Sequence, residues 1–147
     1  MKFLHLSDLH LGKSLGDFDL IEDQKYILNQ VLDLIDEESV DAVLIAGDVY
    51  DKSVPSEAAT RILDSFLSEL AAKKVKTFII SGNHDSDDRL NYGSTLFESN
   101  QVYISAIYDG HLDKHVINDG ETEINIYLLP FIKASQVKHF FPKAEIE

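Results

Sequence analysis

Three short apolar runs in this chain each end at a cluster of side chains able to bind metal or move protons. Phe3-Leu4-His5-Leu6-Ser7 stops at Asp8 and His10, Ala42-Val43-Leu44-Ile45-Ala46 stops at Gly47-Asp48, and Val75 to Ser81 stops at Gly82-Asn83-His84-Asp85. Continuous apolar runs of this length read as strands, the central one buried on both faces. Helical patterns separate them. Residues 21–38 carry Ile27, Leu28, Val31, Leu34 and Ile35 at amphipathic spacing. Pro55-Ser56-Glu57 opens a second helix with Ser56 as its N-cap, and Ala59, Ile62, Leu63, Phe66, Leu67 and Leu70 form its stripe. Lys73 and Lys74 fall at its negative C-terminal end, and Asp36-Glu37-Glu38 reads as a solvated end of the first helix. Strands alternating with helices predict parallel pairing, with the C-terminal strand ends on one edge, where α/β sheets bind ligands. The three polar clusters are therefore predicted to meet in space.

Further along, the spacing predicts a short helix near Asp88–Ser99 and a strand at Val102–Ser105. Lys114–Asn118 and Glu123–Leu129 flank an Asp119-Gly120 turn signal, which predicts an antiparallel hairpin. The fold class is α/β with mixed sheets. The length of 147 residues suits one domain with a single core. No closing element is recognisable at Pro142-Lys143-Ala144-Glu145-Ile146-Glu147, so residues 1–147 read as the N-terminal part of one domain whose C-terminal part is absent.

Composition narrows the function classes. Twenty-six acidic against 13 basic residues leave a net charge of −13, a poor basis for holding nucleic acid by surface charge alone. The absence of cysteine excludes disulfides, thiolate catalysis and cysteine-type zinc sites. No membrane span and no signal-peptide core are recognisable, so a soluble, cytoplasmic protein is expected.

The clusters themselves point to a metal site. Taken singly, Asp8 is an ordinary turn or cap residue, and Gly47-Asp48 and Asn83-His84-Asp85 are ordinary polar turns. At three successive strand ends they combine carboxylate, imidazole and amide oxygen, a donor set suited to Mn²⁺, Fe²⁺ or Zn²⁺. Asp48, central between the D-x-H pair and Asn83, is the candidate to bridge two cations that activate water against a phosphate ester. His84 is a candidate proton donor to the leaving group, with Asp85 as the acceptor that orients its ring. Lys13, Lys52 and Arg89 each follow a cluster by a few residues and are candidate phosphate contacts, with solvated loop charges the plainer reading.

Ser7-Asp8-Leu9-His10, Gly47-Asp48 with Val49-Tyr50-Asp51, and Gly82-Asn83-His84-Asp85 resemble the first three signature motifs of the calcineurin-like metallophosphoesterases. The longer stretches HLSDLHLGK, EDQKYIL, LIAGDVYDKSVPS, ISGNHDS and IYLLPFIK resemble the SbcD-type nuclease subunits within that superfamily. The resemblance implies a sandwich fold, with Asp8 and His10 on a first metal, Asp48 bridging, Asn83 on a second, and His84 catalytic. It implies a Mn²⁺-dependent nuclease acting in DNA repair and recombination, a double-strand exonuclease and single-strand endonuclease. It also implies an SbcC-type ATPase partner and a homodimer through helices near 56–72 and 88–99. A small-nucleotide phosphodiesterase and a dimerisation or docking module are the alternatives. The family pattern includes later histidines and a Gly-His-x-His motif, which His111, His115 and His139 do not match; all three are expected in loops or on the surface. These residues alone are accordingly expected to bind metal weakly and to turn over slowly.

Overall fold

In a computed structural model, residues 1–143 are described; the last four residues, part of the stretch in which no closing element is recognisable, lie outside the described residues. Strands β1 (Phe3–Leu6), β4 (Ala42–Ala46), β5 (Lys76–Ile80) and β6 (Val102–Ser105) form one parallel sheet in that order. Two short strands, β2 (Ser14–Leu15) and β3 (Phe18–Asp19), pair between β1 and the first helix. Helix α1 (Ile21–Glu38) crosses to β4, α2 (Glu57–Ala72) to β5, and the short α3 (Asp87–Leu90) and α4 (Ser94–Glu98) to β6. Strands β7 (Asp113–Asn118) and β8 (Glu123–Leu128) form the hairpin, and α5 (Ala134–Phe140) follows. The α/β class holds, but parallel and antiparallel strands occupy separate sheets among the described residues.

Period-two alternation divides the sheet between two layers. Val43, Ile45, Ile79 and Val102 face the helices, joining Leu28, Leu32, Ile35, Leu63, Phe66, Leu67 and Leu70 in the larger core. Ala42 and Phe78 face the other way and pack with Ile117 and Leu128 of the hairpin. The sheet is thus buried on both faces, which is why β4 and β5 are almost wholly apolar.

The second helix follows its sequence closely. Ser56 Oγ accepts from the Ala59 N–H at 3.2 Å, and all six residues of the stripe are buried. The first helix is rotated from its expected face: Leu28, Leu32 and Ile35 are buried, whereas Ile27 and Leu34 are exposed. Lys73 does more than face the end of its helix, since its ammonium pairs with Asp36 at 2.5 Å, and Lys2 pairs with Glu38 at 2.7 Å. The end of α1 is therefore ion-paired as well as solvated. The expected helix near Asp88–Ser99 is two short pieces, broken where Gly93 takes a left-handed φ of 78°. No helix among the described residues is long and apolar enough to cross a membrane.

Candidate metal centre

The register sets Leu6 beside Ile45 and Ile45 beside Ile79, so the loops after β1, β4 and β5 leave the sheet at one level. Asp48 lies one strand from Asp8 and one from Asn83. Past the strand ends the pairing continues through loop backbone. The Asp8 N–H donates to the Gly47 carbonyl at 3.2 Å, His10 N–H to Asp48 at 2.9 Å, and Leu11 N–H to Val49 at 2.9 Å.

These loops hold unusual backbone. Asp8, His10 and Asp48 all have positive φ, at 54°, 42° and 48°. Left-handed backbone at residues bearing a Cβ costs free energy and is found where the surroundings over-determine it. Two glycines make that possible here. A Cβ on Gly47 would lie 2.8 Å from Gly82 Cα, and one on Gly82 would fall on the Asp48 carboxylate and amide. Only with both side chains absent do the second and third loops close on each other.

The side chains then converge. His10 Nε2 lies 3.8 Å from Asp8 Oδ1 and 3.9 Å from Asp48 Oδ2, and its Nδ1 lies 3.5 Å from Asp51 Oδ1. His10 Nδ1 is buried and has no hydrogen-bond partner. Asp8, His10 and Asp48 offer three donor atoms within 4.8 Å of one another, and His10, Asp51 and His84 offer another three. Ligands about 2.1 Å from a shared cation stand roughly 3.0–4.2 Å apart, so separations too long for hydrogen bonds suit common coordination. Among the described residues, no Lys or Arg pairs with Asp8, Asp48, Asp51 or Asp85. The donor set fits a divalent cation. Asp48 is placed between loops: its Oδ1 accepts from the His84 N–H at 3.0 Å while Oδ2 faces His10.

His84 and His10 meet edge to face, ring centroids 5.0 Å apart. The His84 Nδ1 lies 3.1 Å from the Asp51 carbonyl; a carbonyl only accepts, so Nδ1 carries the proton and donates. Asp85 is not the acceptor that orients this ring. Its buried carboxylate receives the N–H groups of Val49 (3.1 Å), Tyr50 (2.9 Å) and Gly82 (2.9 Å), which fastens the second loop to the third. Backbone amides so close to a buried anion outcompete a ring that is exposed. Asn83 is exposed between Gly82 and His84 on the same turn.

Among the lesser candidates, Lys13 is half-buried beside the first loop and Lys52 is exposed beside the second. Arg89 instead lines a groove between α2 and α3–α4, with Tyr50, Leu67, Leu96 and Phe97. Burial raises the phenol pKa of Tyr50 there, opposed by its hydrogen bond with Thr60. His111 is exposed, and His139 is exposed on α5. His115 departs from expectation: it sits half-buried on β7, 4.3 Å from the Tyr103 ring and 5.4 Å from Phe78. Asp51, which touches both site histidines, stands in the second motif as its last residue, but the sequence assigns it no role.

A parallel sheet whose carboxyl edge gathers carboxylates and imidazoles around closely approaching loops forms a candidate site for divalent cations. The family model described as calcineurin-like phosphoesterase matches residues 1–143, and the chain belongs to that family. Metal-dependent phosphoester hydrolysis is the activity that family supports.

Proposed function

We propose that this chain is part of a Mn²⁺-dependent DNA nuclease subunit of the SbcD type, cutting phosphodiester bonds in DNA repair and recombination. The observation that carries hydrolysis is the approach of His10 Nε2 to Asp8 and Asp48, with His84 5.0 Å away ring to ring. Asp8, His10, Asp48 and Asn83 are the residues proposed to hold the two cations. When bound, divalent cations supply Lewis acidity toward the phosphate and lower the pKa of water. The two oxygens of Asp48 face different loops, as a bridging role needs. Asp85 keeps the second and third loops in register through three backbone amides. His84 donates from Nδ1 to the Asp51 carbonyl, and as the imidazolium it would carry a second proton on Nε2 to give to the leaving oxygen.

The DNA substrate rests on the extended motif similarity, HLSDLHLGK, LIAGDVYDKSVPS and ISGNHDS together. The same similarity supports an SbcC-type ATPase partner and a cytoplasmic setting. A homodimer is proposed through α2 and α3–α4. Leu96 and Tyr92 are among the most exposed apolar side chains of the described residues, at 76% and 86%. The six-residue stripe of α2, in contrast, is spent on the core, so the dimer reading rests on the shorter helices.

Product formation with Mn²⁺ from linear duplex DNA, a single-stranded circle and a small phosphodiester tests the reading. Cleavage of both DNAs supports the nuclease. Cleavage of the small ester alone favours the nucleotide phosphodiesterase, and no cleavage with a dimer in sedimentation favours the docking module. A strict monomer at micromolar concentration removes the dimer.

A further inference from the structure

Gln24 lies in the stretch EDQKYIL on the first turn of α1, where the sequence assigns it no role, yet its side chain is spent entirely on the loop that carries His10. Its Oε1 accepts from the Gly12 N–H at 2.9 Å, and its Nε2 donates to the His10 carbonyl at 2.7 Å and the Leu9 carbonyl at 3.3 Å. The amide is thus read on both sides by backbone, with its O and N assigned without ambiguity. Among the described residues, the Gly12 N–H and Leu9 carbonyl have no other partner.

One edge of this loop is zipped to the second loop by the His10, Leu11 and Asp51 amides. Gln24 holds the opposite edge, and between the two edges His10 is kept at φ 42°. Gly12 follows at φ 88°, where an added Cβ would meet Ala59 Cβ at 3.0 Å, so the loop is also wedged from below by α2. His10 has no hydrogen bond on its buried Nδ1 to fix the ring. Its aim toward Asp8 and Asp48 therefore leans on its backbone, which Gln24 holds on one edge and the second loop on the other.

We propose that Gln24 is a positioning residue that aims the His10 imidazole at the metal site. The inference rests on the metal reading above, but its effect on the ring exists without metal. Outer groups that orient a ligand are typically worth about 10–100-fold in metal affinity. Gln24→Met keeps the length and flexibility of the side chain and removes all three hydrogen bonds. Gln24→Glu keeps an acceptor for Gly12 and sets a carboxylate against two carbonyls.

The test uses the full chain, with Leu32→Ala as a control that weakens the α1 core away from the loop. Two quantities are read: the Mn²⁺ Kd by titration calorimetry, and the His10 ring nitrogen signals by NMR in metal-free protein. In both Gln24 variants the Kd is expected to rise about tenfold or more, and the His10 signals to shift or broaden while those of His111 and His139 stay. Leu32→Ala is expected to lower thermal stability and leave both quantities near the parent values. His10 signals that match the parent in Gln24→Met overturn the proposal, as does a Kd change no larger than in Leu32→Ala. If the parent binds no Mn²⁺, the metal reading fails, and the His10 signals alone decide whether Gln24 positions the ring.

Discussion

At Ile45 the chain is an ordinary parallel strand, buried, paired on both sides and free of positive φ. By Asp48 it is left-handed, pressed against the third loop, and one carboxylate oxygen is committed to the His84 amide. In the first segment Leu6, half-buried on the edge strand β1, likewise gives way to left-handed backbone at Asp8. Below the boundary, stability comes from burial and does not depend on any one polar contact. Above it, the aim of the polar side chains comes from backbone hydrogen bonds and missing Cβ atoms, while Leu11, Val49 and Tyr50 tie the loops to the core. The comparison teaches that the sheet and its edge loops should fail separately.

The sharpest way to break this separation is Phe78→Ala. Phe78 is 2% exposed, stacks on Tyr103 at 5.1 Å and anchors the hairpin layer. Its loss is expected to cost about 3–5 kcal/mol in denaturant unfolding, with Mn²⁺ affinity of the folded fraction unchanged. A large affinity loss would show that the loops depend on the second face of the sheet. His84→Ala reverses the pattern. Turnover in Mn²⁺ is expected to fall about 100-fold or more, roughly 2.7 kcal/mol in barrier, while bound metal and melting temperature stay near the parent. Loss of stoichiometric metal would make His84 a ligand instead. Gly82→Ala probes the boundary itself, because the new Cβ must displace Asp48. Here both properties are expected to move together, stability by about 1–3 kcal/mol and metal affinity with it. Calorimetry on one sample reads both.

Legibility in the sequence follows the same boundary. Strands β4, β5 and β6 and the stripe of α2 could be read because burial on a regular element repeats with a fixed period. On α1 the period was legible but the angle was not. Ile27-Val31-Leu34 and Leu28-Leu32-Ile35 are neighbouring stripes, and only docking on the sheet selects the second. The break at Gly93 was hidden because a single glycine is also tolerated inside a helix. In the site, the residues standing directly after strands were visible by position. Asp51 and Gln24 stand in stretches that carry the resemblance, but their roles were not legible, since each acts by reaching a distant backbone or ring, and no periodicity marks such a reach. Asp85 was visible, but its partners are three amides that no side-chain pattern announces.

The unbroken strand order β1-β4-β5-β6 has a consequence for how such a centre is gauged. Adjacent strands are spaced by their peptide hydrogen bonds at about 4.8 Å, so loops leaving neighbouring strands at one level start one such step apart. The pitch between the D-x-H corner, Asp48 and the Asn83 turn is therefore a property of the peptide group, common to any sequence laid on that sheet. Side chains on each corner are free to drift in kind from one descendant to another while the ruler beneath them keeps its graduations.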